Sequence, residues 1–559
     1  MQSNDLNPET FYDIRDDATR AILMLTPQLL IVYSLSVGLL GAIIASFLLP
    51  SNGVSSINWG YFWEYFLYGA GVGLLLALFH IYRAYTKTPE NIAGQLGAEP
   101  LDSSDHYHNT FKNVVQEISL AAPVDRVTPR VIPSSRTNAL AVGDQEEAIV
   151  LITEGALGRL RRDELQAVVA HEMAHISYGD ARLKSFTSAI LQTFEIFSFK
   201  NISLSRYKSR RRSRLRFRGR GAVLYLLLVV VSTLLKGFNR IIATGISVQR
   251  EWRADGTAIE YCRDPVALAA GLYQLGMVKP KIAPVGNPYP VDSYREAVSS
   301  PAFESLLLVP FDSVSRQHKT STIIDRLFHT HPPLEERINR HLKLAGEPCS
   351  NLVSRVENEQ PSPDVPFRAM RDKEGNPLQQ QKWWLHREGE SREVSFLDLL
   401  TGKALDKETL LAHEKDEDWS SPDQHPEFSA IKKMVEADGT KENCPECEVP
   451  LCRRVYLGVP IKVCLACGGI ALTWRQLVRL EARHRDGELP ARLGKIEEYT
   501  GYHGSEAIPE DEITGGECPH CKTSFRTKRY RGTKLIVDQC TVCKLTWFRE
   551  DELTIALNL

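Results

Sequence analysis

Residues 29–49, LLIVYSLSVGLLGAIIASFLL, carry no charge over twenty-one positions, enough for a helix to cross a bilayer core. A second apolar run, Tyr65 to Tyr82, follows the aromatic cluster Trp59, Tyr61, Phe62 and Trp63, side chains suited to the lipid–water boundary. Glu64 sits in that belt, where it stays hydrated. Gly69 and Gly73, four apart, let two such helices approach closely. The intervening loop SNGVSSINWG has no Lys or Arg, whereas Arg15 and Arg20 precede the first run and Arg83 and Lys87 follow the second. That bias places both ends on the cytoplasmic side. The acidic start lacks the basic lead of a signal peptide, so the pattern predicts a cytoplasmic segment 1–28 and an uncleaved transmembrane hairpin over 29–85.

Beyond the hairpin, 105–345 alternates apolar runs with helical periodicity and predicts the main globular domain, of α+β class. Within it two shorter apolar runs, 185–199 and 221–235, flank RYKSRRRSRLRFRGR, which holds nine Lys and Arg. Residues 346–440 turn polar and acidic and read as linker. The tail repeats itself: CPEC, sixteen residues, CLAC, then CPHC, eighteen residues, CTVC, each copy ending in a helical pattern with Leu477 and Leu553 at equivalent positions. The copies occupy 441–485 and 515–559.

Composition changes this picture in two ways. A formal net charge of −2 over 559 residues offers no whole-chain attraction for nucleic acid. Eight of eleven cysteines lie in CxxC pairs after residue 440, which indicates metal ligation in a reducing compartment and not a disulfide framework.

The chemistry concentrates in VVAHEMAHISYGD, 168–180. On a helix His171 and His175 share a face and can both point at one ion. Glu172 then projects beside them, able to hold and deprotonate a water. Leu165, Val168, Val169, Met173 and Ile176 form the buried stripe, Asp163 and Glu164 suit the N-terminus and Gly179 the end. The competing reading is two polar positions on a packed helix. A catalytic zinc needs a third protein ligand, and SVQREWRADGTAIEY offers Glu251, with Asp255 four residues on to orient a histidine or to meet the reacting groups. REWRAD also suits a solvated charged face.

HEMAHISYGD, SVQREWRAD and HTHPPLEERI, in this order and spacing, resemble the HtpX and CAAX-prenyl-protease group of membrane zinc metallopeptidases over roughly residues 20 to 345. SRTNALAVG, 135–143, is similar to the group's strand that pairs with substrate backbone. The resemblance implies a mainly helical zincin-type domain with a small sheet, His171, His175 and Glu251 as zinc ligands, and Glu172 as general base. Asp255 matches the aspartate that supports a ligand or donates a proton, His331 the THP histidine near the reaction centre, and Asn138 and Ala139 the substrate strand. The small number of spans points to the HtpX branch and disfavours prenyl-protein processing. Family members have two further spans between zinc helix and third ligand. The residues here predict none, because each run is only about fifteen long and two crossings would carry the basic loop outward. The expected arrangement is a hairpin that packs on the catalytic domain or dips into the interface, its loop near anionic lipid or solvated.

Two CxxC pairs joined by a short hairpin give four-sulfur coordination: Cys444, Cys447, Cys464 and Cys467 for one zinc, and Cys518, Cys521, Cys540 and Cys543 for a second. Modules this small take much of their stability from metal. They resemble the TFIIB-type zinc ribbon. The first copy keeps Gly468 and Gly469 but has Ala471 where the family has tryptophan, and the second keeps Trp547 without the glycines. Cys452 is a spare thiol. FRTKRYRGTK in the second copy is basic enough to meet nucleic acid or an acidic protein surface, but reads as a solvated hairpin.

Together these features predict a membrane-anchored zinc endopeptidase with one catalytic and two structural zincs. Its active site and ribbons face the cytoplasm of a bacterial-type inner membrane, and its substrates are proteins or peptides, in membrane-protein quality control or regulated proteolysis. The ribbons are expected to dock a protein partner. The alternative is a non-catalytic membrane-tethered ribbon adaptor or peptide-binding pseudoprotease, against which Glu172 speaks.

Overall fold

The apolar runs at 29–48 and 65–82 form the middle of the first two helices, α1 (Phe11–Leu48) and α2 (Trp59–Tyr85), and α1 begins well before its run, inside the charged segment expected as 1–28. Glycine lets their backbones touch: a Cβ on Gly69 would lie 3.0 Å from Gly38 Cα, and one on Gly73 2.9 Å from Ser34 Cα. These helices belong to a computed structural model that describes residues 10–48, 59–85, 89–194, 220–276, 308, 331–357, 365–372, 374–401, 405, 408–413, 418–485, 489–500 and 516–559. Except for Arg220, the basic stretch 206–220 lies outside the described residues.

The next elements in chain order are β1 (Glu99–Pro100), α3 (His106–Ser119), β2 (Val127–Ile132), β3 (Ala139–Gly143), β4 (Ala148–Thr153), α4 (Glu154–Arg159) and α5 (Arg162–Ser177). They are followed by α6 (Asp180–Thr193), α7 (Arg220–Cys262), α8 (Pro265–Gly276) and α9 (Leu334–Ala345). The four strands form one sheet in the order β1-β2-β4-β3, with β2 and β4 parallel and β3 antiparallel to β4. Strand β3 is therefore an edge. Helix α3 begins where the Asp105 carboxylate accepts the N–H groups of Tyr107 and His108. Its Phe111, Val114, Val115 and Ile118 are buried at helical spacing and pack with the sheet, α5 and α8. Each such side chain contributes about 1.5–3 kcal/mol by leaving water.

Helix α5 opens with Glu164 accepting the Arg161 N–H at 3.0 Å, which satisfies a donor the helix cannot. It ends at Gly179, whose φ of +64° turns the chain directly into α6.

The expectation that 185–245 packs on the catalytic domain meets a different arrangement. Phe186, Ile190 and Phe194 pack with Leu29, Tyr33, Leu40 and Ala77 of the first two helices, and so do Leu228, Ala243 and Ile246 of α7. Helix α7 is 43 residues long and runs unbroken through Lys236 and Arg240, the charges at which a run of apolar residues stops. Leu226–Cys262 is accordingly a third helix long and apolar enough to cross a membrane, beside Phe11–Ser46 and Tyr61–Tyr82. Its polar residues find partners or edges: Asn239 donates to Ser36 of α1 at 3.1 Å, and Arg240 is exposed. At the other end of the contact Arg15 pairs with Glu260 at 2.7 Å, so the start of α1 lies at the end of α7.

The region read as polar linker contains a folded unit. Strands β5 (Trp383–Arg387), β6 (Glu390–Val394) and β7 (Leu410–His413) form a sheet in the order β6-β5-β7. Trp383, Leu385, Phe396, Leu399 and Leu411 are buried, together with Phe428 of α10 (Pro426–Asp438), against Cys444 and Cys447. A few large side chains on short strands anchor it, and mean polarity hides them.

The duplicated tail is one body. The first copy has β8 (Gly439–Asn443), β9 (Pro450–Tyr456), β10 (Val459–Val463), β11 (Ile470–Leu472) and α11 (Trp474–Arg483). The second has β12 (Phe525–Arg529), β13 (Ile536–Cys540), β14 (Thr546–Phe548) and α12 (Glu552–Asn558). Strands β11 and β14 pair antiparallel and join both copies into a seven-stranded sheet. Ala471 stands opposite Trp547 in that register. A Cβ on Gly469 would lie 2.1 Å from the Trp547 ring. The two departures from the ribbon pattern are thus complementary: the tryptophan of the second copy occupies space left by small residues of the first.

Candidate metal centre and active site

Helix α5 carries His171, Glu172 and His175 along one buried face, and α7 brings Glu251 and Asp255 to it from 76 residues away by sequence number (251 less 175). His171 Nε2 lies 3.6 Å and His175 Nε2 3.5 Å from the two oxygens of Glu251. The rings stand perpendicular with centroids 4.7 Å apart. Donors bonded to one tetrahedral zinc at about 2.0–2.1 Å are separated by roughly 3.4 Å. His171 Nε2 and both Glu251 oxygens are buried and make no hydrogen bond, a costly arrangement for polar atoms that a cation relieves. These residues fit a divalent metal.

The outward nitrogens are fixed by carboxylates. His171 Nδ1 is 2.9 Å from Asp255, and His175 Nδ1 2.7 Å from Asp180. Each carboxylate is itself gripped: Asp255 by Arg337 at 2.6 and 2.9 Å and by His341 at 3.2 Å, Asp180 by Arg253 at 2.6 Å and Arg250 at 3.3 Å. Such carboxylate–imidazole pairs set which ring nitrogen faces the metal and raise its basicity. Burial disfavours charge on His171, but Asp255 and Glu251 overcome it and lift its pKa to about 9. Burial raises Asp180, yet Arg250, His175 and Arg253 pull it well below the carboxylate range.

Glu172 is buried with Oε1 unpartnered, and burial raises its pKa against the pull of His175, His171 and Lys184. Beside it lies a cavity of about 10 Å³ lined by Ala141, Gly143, Glu172, His175, Asp180 and Lys184, room for a single water. Lys184 is buried there, its pKa lowered to about 8 by burial and Arg250. His331, just before α9, sits 3.6 Å from Glu251, and burial lowers its pKa to about 3.

Asn138 and Ala139 open the edge strand at this centre. Asn138 is held inward, its N–H donating to Thr153 Oγ1 at 2.9 Å and its carbonyl accepting from Thr153 N at 3.1 Å. The outer edge is left to other backbone: Leu308 N–H donates to Ala139 O at 3.2 Å.

His171, Glu172, His175, Glu251, Asp255 and His331 are therefore gathered in one place, while Asn138 and Ala139 lie at the start of the strand whose Ala141 and Gly143 line the cavity beside Glu172. The solvated-face reading of REWRAD does not survive, since Arg250, Glu251, Arg253 and Asp255 are all buried. Asp180, Arg337, His341 and Lys184 escaped the sequence reading. Asp180 was readable as the residue closing the histidine stretch, whereas Arg337 and His341 had only their four-residue spacing.

The cysteine clusters are equally compact. Cys444 Sγ is 3.7 Å from Cys467 Sγ, and in the second copy Cys518–Cys543 and Cys521–Cys540 are 3.5 and 3.3 Å apart. These are non-bonded spacings close to those of tetrahedral zinc with bonds of about 2.3 Å. All eight thiols are free.

Comparison with known proteins agrees with this chemistry. The model of peptidase family M48 matches residues 103–345. A protease HtpX homolog of Thermoanaerobacter pseudethanolicus is 30% identical over 295 residues, 50% of this chain and 88% of that protein. The homolog of Acaryochloris marina is 34% identical over 233 residues, 41% and 70% of the two chains. A crystal structure of S. mikatae Ste24p aligns at 18% identity with a TM-score of 0.27, over 49% of this chain and 57% of that one. With 88% of an HtpX homolog covered at 30% identity and a buried His–His–Glu centre on its matched segment, the chain belongs to peptidase family M48, among the HtpX-like membrane metalloproteases.

Proposed function

We propose that the protein is a zinc endopeptidase anchored in a membrane, with its active site on the cytoplasmic side, acting on membrane proteins in quality control or regulated proteolysis. The observation that carries this reading is the convergence of His171 Nε2, His175 Nε2 and Glu251 within 3.5–3.6 Å, beside an unpartnered Glu172 oxygen.

His171, His175 and Glu251 would hold the catalytic zinc, which when bound polarises the scissile carbonyl and acidifies water. Substrate backbone pairs with the outer edge of β3 beyond Ala139, whose carbonyl already accepts the Leu308 N–H, and this pairing fixes the peptide bond beside Glu172. Glu172 Oε1 takes the proton of the attacking water and passes it to the leaving amine. Burial raises the Glu172 pKa, which favours uptake of the water proton. Asp255 and Asp180 keep the two imidazoles oriented. His331, neutral at physiological pH, places a ring N–H where charge develops on the carbonyl oxygen. The eight cysteines would hold two structural zincs.

The orientation rests on charge and contact together. Arg15 and Arg20 precede the first apolar run in sequence, and Arg83 and Lys87 follow the second. Arg15 pairs with Glu260 at the active-site end of α7. The apolar part of α7 crosses beside α1 and delivers Glu251 to the cytoplasmic face.

Purified protein in detergent, assayed on an unfolded membrane protein, tests the reading. Cleavage is expected for the wild type, and Glu172→Gln should lower kcat by about 10²–10⁴-fold while keeping its metal. Equal cleavage by the variant would remove Glu172 as base, and a wild type that binds substrate without cutting it would favour the pseudoprotease.

A further inference from the structure

The first ribbon is not free to dock elsewhere, because its helix α11 is already docked on the peptidase. Arg483 is fully buried and reaches Asp105 at 2.9 Å and Glu154 at 2.8 Å. Arg479 adds contacts to Asp102 at 2.8 Å and Glu154 at 3.2 Å. His108 holds the other side of Glu154 at 3.0 Å. Burial pushes the Glu154 carboxyl up, but His108, Arg483 and Arg479 more than offset it and leave it below its ordinary value. Without the two arginines, three acids of the peptidase would face each other there, Asp105 and Glu154 fully buried, with at most one histidine to offset them.

The surrounding contacts leave no slack. A Cβ on Gly158 of α4 would lie 2.5 Å from Arg483 Cα, and one on Gly458, in the β9–β10 turn, 2.4 Å from the Tyr107 ring. Gly458 O accepts the His106 N–H at 3.3 Å, and the Arg483 guanidinium lies over the Tyr107 ring at 4.6 Å.

What this contact touches is the substrate strand. Glu154 directly follows Thr153, whose hydroxyl and backbone N–H hold the Asn138 backbone through three hydrogen bonds of 2.9 to 3.1 Å. Gly155 N–H, one residue further, donates to Ser134 O at 2.9 Å. On the other side, α11 is capped by Thr473, six residues after Cys467 (473 less 467) and directly after β11. The path is continuous: cysteine cluster, β11, α11, Glu154, Thr153, Asn138.

We propose that the first ribbon is an intramolecular buttress of the peptidase: Arg483 is a positioning residue that acts through Glu154 and Thr153 on β3, so that metal in the Cys444–Cys447–Cys464–Cys467 site governs how well substrate is held. This rests on the reading of β3 as the substrate strand. Loss of that metal loosens α11, uncouples Arg483 and frees Asn138–Gly143, while the His171–His175–Glu251 centre, built on other helices, remains assembled. The ribbon thereby makes substrate binding depend on zinc supply.

The test uses the full chain in detergent, as wild type, Cys464→Ser, Arg483→Gln and Arg483→Lys, with three readouts: metal content, amide exchange at 138–143, and KM against kcat. Cys464→Ser should lose one metal of three. Both it and Arg483→Gln should exchange 138–143 at least ten-fold faster and raise KM at least five-fold, with kcat within two-fold and α5 exchange unchanged. Arg483→Lys should fall between. Loss of the ribbon metal with unchanged exchange and KM overturns the proposal, as does an equal fall in kcat with no change in KM. Should Arg483→Gln also lose the catalytic metal, Cys464→Ser and Arg483→Lys decide. If the wild type cuts nothing, the peptidase reading fails, while the exchange measurement still settles the coupling.

Discussion

The molecule builds metal-ligand clusters in two opposite ways. The ribbons draw each set of four thiols from two CxxC turns joined by a hairpin, so that a set spans 24 residues (467 less 444, plus one) or 26 (543 less 518, plus one). The peptidase gathers its His171–His175–Glu251 cluster from two helices far apart in the chain, and holds it with a shell of buried ion pairs. A ligand set made of neighbours is cheap in sequence but has little beneath it except the metal. A set made of distant residues exists only because the core and the Asp255–Arg337 and Asp180–Arg253 pairs already place it.

That contrast predicts how each fails. The largest expected effect is chelation. Structural zinc is worth about 10–16 kcal/mol in small modules at neutral pH, so a strong chelator should unfold 441–559 and loosen 138–143 while α5, α7 and α8 keep their structure. Amide exchange of α11 and α5 measured together checks this, and simultaneous loss of both would erase the distinction.

Next come the carboxylates behind the histidines. Asp180→Asn should weaken catalytic metal binding about 10–100-fold, the usual cost of removing such a partner. Asp255→Asn should weaken it to a similar extent, because each carboxylate also pairs with buried arginine, Arg337 for Asp255 and Arg253 and Arg250 for Asp180. Titration of metal against each variant checks this, and neither should alter the ribbon metals.

A smaller effect sharpens the comparison inside the tail. Gly469→Ala places a methyl into the Trp547 ring, an overpacking worth about 1–3 kcal/mol. It should lower the melting temperature of the ribbon body and leave the peptidase transition in place.

The smallest effect is acid sensitivity at the joint. The Glu154 carboxyl has a depressed pKa when folded, so its contribution is fully present above the ordinary glutamate value and fades as pH falls through the folded one. Exchange at α4 and α11 should therefore rise on acidification below about pH 4, with no change between pH 6 and 8.

The histidine pair, Glu172 and the four CxxC turns were legible because their geometry is set by helical or turn spacing within a few residues. So were α1 and α2, whose apolar runs exceed what a bilayer needs. Glu251 and Asp255 became legible through resemblance; alone, their burial was hidden among Arg250, Trp252 and Arg253.

Other features had no local signature. The length of α7 was masked by Lys236 and Arg240, whose cost depends on what lies beside them. The sheet at 383–413 rests on Trp383 and Phe428, 45 residues apart (428 less 383). Gly469 and Trp547 explain each other only once β11 lies against β14, and Arg483 means nothing until Glu154 is found under it. Periodicity and spacing are properties of contiguous residues, and the sequence carries them on its face. The partner of a buried charge, the neighbour of a glycine and the depth of a lysine are properties of two distant segments in contact, and only the tertiary structure decides which segments those are.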